Sequence, residues 1–403
     1  MNLKRALGSQ WISTGYMAAL SMLLVVFIAR ELGPNQFGTY SYLLSVVTIY
    51  AIIQDGGFKT LLFREYTSKS DLALIHVNKL LNVAIGHVIL TTLLGCLILF
   101  FIPWSNKIAL VCGLICFAFV TFSNFITAIF KGEGHFEKSA AWQAFIKTTT
   151  TVILLFAFFA GFKSVQAIFI SWIVGICIVV LSPWGRVLWK KPIFALSGRM
   201  YFSCATFILI DFATMVYFRC DIILLKYLQN NEEIVGQYAA AYRFLEGAIM
   251  LMTPVAHICF HYLRLSWKKQ SKFKKMFNKM LIGMIILSLT IYMIGIKFAD
   301  YFVLHLYGDN FMPAAHLSIL LLGALLFMLP NYIVSQAIIS INEEKIYAII
   351  AIFTAILNIC GNLILIPKLG ADGAAYSTII TEGILFVTLL GVYMIKMKYS
   401  FLS

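Results

Sequence analysis

Between Tyr201 and Gly247 the chain places Asp211, Arg219, Asp221, Arg243 and Glu246 within stretches otherwise apolar enough to sit in lipid. Each charged side chain costs roughly 2.5–3.5 kcal/mol at a bilayer centre on insertion scales, so such residues face a bundle interior or a wet cavity. Lys147 is a third embedded cation, and Asp55 and Glu382 are further carboxylates within apolar runs. The chemistry open to this set is electrostatic: lining a polar chamber, or neutralising one another. Arg243 and Glu246 stand i, i+3 on one helix face, and Arg219 has Asp211 or Asp221 as cross-helix partners. Lys147 has equal claims on a cavity and on snorkelling to the surface. Tyr217, Tyr227, Tyr238 and Tyr242 gather near the same junction, where an interfacial aromatic belt explains them better than stacking on a ligand.

The elements that must hold these groups follow from composition. Of 403 residues, 61% are hydrophobic and 12% charged, and the mean hydropathy is +0.90. Globular domains carry about 25% charged residues, so a soluble fold is excluded. Apolar runs of ~20 residues recur along the chain, each long enough to cross ~30 Å of hydrocarbon as a helix. The reading is an all-α polytopic membrane protein of about twelve transmembrane helices. The first run, after Lys4 and Arg5, lacks a small-residue cleavage pattern and reads as a retained helix rather than a signal peptide.

The net charge of +14 sits in short connections between the runs, Lys59, Lys131 and the Lys268–Lys275 run among them. Positive-inside bias explains this better than nucleic acid, and puts both termini in the cytoplasm. The eight cysteines all lie in apolar segments, as inert thiols do. Cys112 and Cys116 are one turn apart with no His beside them, so no metal is expected. No Walker A pattern occurs, which excludes ATP hydrolysis by this chain.

The chain also repeats itself. Phe37-Gly38-Thr39-Tyr40 opens the second run and Val235-Gly236-Gln237-Tyr238 the eighth. Ala128-Ile129 matches Ala337-Ile338, and Gly161 matches Gly370, at one shared offset. Six helices followed by six predict two bundles related by a pseudo-twofold axis along the membrane normal. The N-terminal bundle takes 1–185, a cytoplasmic linker 186–198, and the C-terminal bundle 199–403. In parallel-repeat transporters of this kind the substrate path lies between the halves.

Four blocks resemble one family: Arg30-Glu31-Leu32-Gly33-Pro34-Asn35-Gln36-Phe37-Gly38-Thr39-Tyr40; Asp55-Gly56-Gly57-Phe58 with Arg64-Glu65; Asp221 with Val235-Gly236-Gln237-Tyr238 and Ala241-Tyr242-Arg243; and Asn358 to Pro367 with Gly370 and Gly373-Ala374-Ala375. Together they resemble the polysaccharide-transporter branch of the multidrug/oligosaccharidyl-lipid/polysaccharide exporter superfamily, and within it the O-antigen or capsule repeat-unit flippases.

The resemblance implies a flippase, not an enzyme. It would move undecaprenyl-pyrophosphate-linked oligosaccharides from the cytoplasmic to the outer leaflet of a bacterial inner membrane by alternating access. The partners implied are that lipid-linked sugar, membrane lipid and polysaccharide-assembly proteins, with no nucleic acid. Arg219, Arg243 and Lys147 then become the cations for the pyrophosphate, Arg as a bidentate fork and Lys as a point charge. No cofactor is implied beyond a proton or sodium gradient, for which Asp211, Asp221, Glu246, Asp55 and Glu382 are the candidate carboxylates. Two alternatives are a drug/cation antiporter of the same superfamily, which predicts a more anionic cavity, and a membrane glycan polymerase or ligase, against which the short outer loops speak.

Overall fold

The computed structural model describes residues 3–68, 71–101, 104, 106–188, 190–194, 198–267 and 269–399. Lys268 and, within the 186–198 segment, positions 189 and 195–197 lie outside them. Among the described residues the chain is helical throughout: α1 (Leu3–Asp55), α2 (Phe58–Ser68), α3 (Asp71–Phe101), α4 (Lys107–Gly132), α5 (Phe136–Phe159), α6 (Val165–Val180), α7 (Gly198–Gln229), α8 (Glu232–Ser266), α9 (Gln270–Tyr307), α10 (Pro313–Ser340), α11 (Glu344–Leu369) and α12 (Ala371–Tyr399).

The twelve expected spans are distributed differently from one per helix. Helix α1 runs for 53 residues and holds the first two, broken at Gly33, whose φ of 70° is left-handed. Pro34 follows at once, and with its fixed φ and missing N–H it starts the second stretch without an intrahelical bond to the first. Helix α2, by contrast, is an added short amphipathic helix of 11 residues, too short to cross a bilayer. Eight helices of the described residues are long and apolar enough to span a membrane. Helices α7 and α8, which carry the ionic residues, are not among them, although they are 32 and 35 residues long.

The chain forms two compact units: Met1–Leu32 with Tyr42–Val216, and Gly33–Ser41 with Tyr217–Ser403. The division falls inside α7, downstream of the 186–198 segment. In the first unit, α4 is central and packs on α2, α3, α5 and α6, around a core that includes Phe58, Leu62, Leu81, Val88 and Phe125. In the second, α10 is central, packed on α8, α9 and α12. It is apolar on all sides, as a helix surrounded by others must be, with Leu321, Ala324, Leu325 and Leu329 fully buried.

Within the second unit, the stretch after Gly33 docks on the start of α8. A Cβ at Gly38 would collide with the Glu232 carbonyl, and one at Gly236 with the Pro34 carbonyl. The two repeat-related glycines therefore face each other across a backbone-to-backbone contact that only small residues permit.

Candidate functional site

The first unit contains a cavity of about 790 Å³ bounded by α1, α2, α4, α5 and α6. Three ammonium groups line it: Lys59 from α2, Lys131 from α4 and Lys147 from α5. Among the described residues no acidic side chain lines it, and none of the three lysines makes a salt bridge. Asn124, Thr127 and Gln143 add amide and hydroxyl groups, and Trp172 an aromatic ring. Lys147 therefore points inward. Lys59 and Lys131, read from sequence as loop charges, belong to the same chamber. The clue lies in Asp55-Gly56-Gly57-Phe58: two left-handed glycines, φ 55° and 73°, turn the chain so that α2 folds back over α4 and carries Lys59 inward.

Close to this cavity, still in the first unit, are two carboxylates. Asp55 ends α1 and receives the backbone N–H groups of Gly57 and Lys59. Its Oδ1 is buried without a hydrogen-bond partner. Asp211 of α7 lies near enough for the two negative charges to interact, as does the Lys59 ammonium with Asp55.

Among the described residues, the second unit gathers polar groups around Glu246, Asp221 and Glu382. Glu246 bridges two arginines: Arg243 Nη1 to Oε2 at 2.5 Å and Arg219 Nη1 to Oε1 at 3.4 Å. The i, i+3 pair on α8 forms as expected. The partner of Arg219 is Glu246, however, rather than Asp211 or Asp221, because α7 presents Arg219 toward α8. Two cations share one anion, and both arginine Nε atoms are buried without a partner. The side chains retain 17% and 16% exposure.

Asp221, 3% exposed, is enclosed by donors from four helices. Tyr238 Oη donates at 2.9 Å, Asn362 Nδ2 at 2.8 Å, Thr378 Oγ1 at 3.2 Å and Cys220 Sγ at 3.3 Å. Asn358 joins through Asn362 Nδ2 at 3.0 Å. This is a carboxylate held by neutral donors, with α7, α8, α11 and α12 tied to it. Glu382 accepts from the Tyr217 hydroxyl and, at 2.8 Å, from Asn331 Nδ2. Sequence reasoning missed Asn331, which lies in an apolar run with no periodic signal.

The aromatic belt does not hold for these tyrosines. Tyr238 and Tyr242 are 0% and 4% exposed and Tyr217 is half-buried; only Tyr227, at 82%, is placed as a belt residue would be. A tyrosine at a helix end looks alike in sequence whether its hydroxyl meets water or a buried carboxylate.

Residues 6–260 match the profile of a family described as polysaccharide biosynthesis protein. A probable low-salt glycan biosynthesis flippase, Agl15 of Haloferax volcanii, is 21% identical over 392 residues, covering 94% of this chain and 80% of its own. Among solved structures, the lipid II flippase MurJ in an inward closed conformation superposes with a TM-score of 0.74 at 16% identity, over 94% of this chain and 86% of that one. A transporter of the MOP superfamily from Pyrococcus furiosus, whose binding pocket has reversed polarity, gives 0.61 at 14% identity, over 98% and 96%. At these identities the structural likenesses establish the fold alone: an all-α, two-lobe architecture of about twelve membrane helices.

Proposed function

The chain belongs to the polysaccharide biosynthesis protein family, and on that premise we propose that it is a flippase for lipid-linked oligosaccharides. The cargo we infer is an O-antigen or capsule repeat unit on undecaprenyl pyrophosphate, moved from the cytoplasmic to the outer leaflet of a bacterial inner membrane, with both termini cytoplasmic. A charged, hydroxylated headgroup cannot cross hydrocarbon unaided. A polar chamber opened to each side in turn removes that barrier while the polyprenyl tail stays in lipid.

One observation carries this reading: a chamber among membrane helices with three ammonium groups and no carboxylate. A pyrophosphate diester supplies the missing negative charge, and charge-assisted hydrogen bonds are about twice as strong as neutral ones. Asn124, Thr127 and Gln143 suit sugar hydroxyls, and Trp172 offers a face for a sugar ring. At about 790 Å³ the chamber falls within the ~300–1,000 Å³ of small-molecule sites, enough for the pyrophosphate and its first sugars. Within the second unit, the Arg219–Arg243 pair, with one carboxylate between two guanidinium groups, supports an anion contact of its own.

Ion coupling is part of the proposal, since one charge crossing 100 mV is worth about 2.3 kcal/mol. Asp211, Asp221, Glu246, Asp55 and Glu382 are the carboxylates available to it. A drug/cation antiporter fits less well, because a cationic drug would meet three like charges.

The test is reconstitution in liposomes with a fluorescent undecaprenyl-pyrophosphate-linked oligosaccharide, scoring the fraction that becomes accessible outside. Transport above that of protein-free liposomes is expected, slowed by Lys147→Gln and by collapse of the proton and sodium gradients. Equal rates with and without protein would defeat the proposal; rates indifferent to both gradients would remove ion coupling alone.

A further inference from the structure

Lys59 stands at two sites at once. Its ammonium lines the lysine cavity, near enough to Lys131 to feel its charge. It is also the positive group beside the Asp55 carboxylate, four positions back across the Gly56-Gly57 turn. Asp211, of like charge, also lies near enough to Asp55 to act on it. Among the described residues, the other titratable groups around Asp55 are His87 of α3 and Tyr201 and Cys204 of α7, with Arg64 of α2 interacting with Cys204. His87 is already engaged at both ring nitrogens, by the Ile53 carbonyl at 2.8 Å and the Tyr201 hydroxyl at 2.9 Å. Lys59 is thus the cation through which an event in the cavity reaches the buried, unpartnered Oδ1 of Asp55.

We propose that Lys59 couples the cavity to a proton site at Asp55: an anion that binds the Lys59 ammonium withdraws the counter-charge from Asp55, and a proton from solvent then binds at Oδ1. The sign follows from Coulomb's law. With Lys59 free, the Asp55 anion is held by an opposite charge. With Lys59 engaged by phosphate, that anion is left buried beside a second carboxylate, and protonation relieves both the burial and the repulsion. No bond other than the O–H is made or broken. Linkage is reciprocal, so protonation of Asp55 frees Lys59 and strengthens anion binding as pH falls. The inference rests on the cavity's being the headgroup site, and it adds a residue, Lys59, and a linkage: anion binding in the cavity and proton binding at Asp55 favour one another.

The experiment uses the purified full chain in detergent with inorganic pyrophosphate as probe. Calorimetry in buffers of different ionisation enthalpy gives the protons taken up per pyrophosphate bound. Comparison with Asp55→Asn cancels the probe's own protonation. The wild type is expected to take up more than Asp55→Asn, by up to about one proton, with affinity changing up to about tenfold more per pH unit. Lys59→Gln should bind more weakly, through Lys131 and Lys147, with the proton count of Asp55→Asn. Asp211→Asn, which keeps Asp55 and its backbone contacts, should reduce the excess uptake and serves if Asp55→Asn does not fold. Equal proton counts in the wild type, Asp55→Asn and Asp211→Asn, or a full wild-type count in Lys59→Gln, would overturn the coupling while leaving the cavity intact. Failure of the wild type to bind pyrophosphate would overturn the headgroup site and the coupling with it.

Discussion

Glu246 serves two guanidinium groups and fully satisfies neither, since each arginine keeps a buried Nε without an acceptor. Removing its charge leaves two neighbouring cations uncompensated. Breaking a buried pair costs about 3–5 kcal/mol, and less where, as here, water reaches the groups. Glu246→Gln should therefore lower the melting temperature in detergent, and millimolar pyrophosphate should restore part of the loss by standing in for the carboxylate; no recovery would argue against an anion site at the arginines. Asp221 presents the opposite case, a single anion with four donors. Asp221→Ala would leave the Tyr238 hydroxyl and one N–H of Asn362 without their acceptor, while Thr378 keeps the Ala374 carbonyl, at roughly 1–3 kcal/mol for each unsatisfied group. Asp221→Asn, which keeps one acceptor oxygen, should lie between the two, as thermal unfolding in detergent would show.

At the scale of elements, the contact between the start of α8 and the second stretch of α1 depends on two absent side chains. Gly38→Ala and Gly236→Ala each force a Cβ onto a carbonyl oxygen. Overpacking of this kind costs about 1–3 kcal/mol, so either variant should melt earlier, and the double variant by less than the sum because one separation of the helices relieves both. The sequence shows these glycines as a repeated pattern, Phe37-Gly38-Thr39-Tyr40 and Val235-Gly236-Gln237-Tyr238, but not that the two copies touch. The Arg243–Glu246 pair is legible because i, i+3 spacing needs one helix only. The partner of Arg219 is not, since it depends on how α7 is rotated against α8. Helix α2 escapes the hydropathy pattern altogether: with Lys59, Arg64 and Glu65 among its 11 residues it reads in sequence as a charged connection, and yet it packs on α4 and α3.

Over the whole molecule, charge separates by neighbourhood. The cavity of the first unit is purely cationic, whereas the second unit sets its carboxylates among neutral donors and arginines. Replacing Lys147 by Gln should weaken pyrophosphate binding about tenfold, the value of one charge-assisted hydrogen bond, and the ratio should change little at high salt because buried charges are little screened. Titration calorimetry at two ionic strengths checks this. The division of the chain has one more consequence. Residues Gly33–Ser41 lie between two stretches of the first unit yet belong to the second, and their binding surface on α8 is made only after α7. At ~5–20 residues per second, a ribosome delivers that surface roughly 10–40 s after residue 38. During that interval the newborn amino-terminal segment waits with its bend undocked, so assembly of the second unit includes the capture of a stretch synthesised near the beginning.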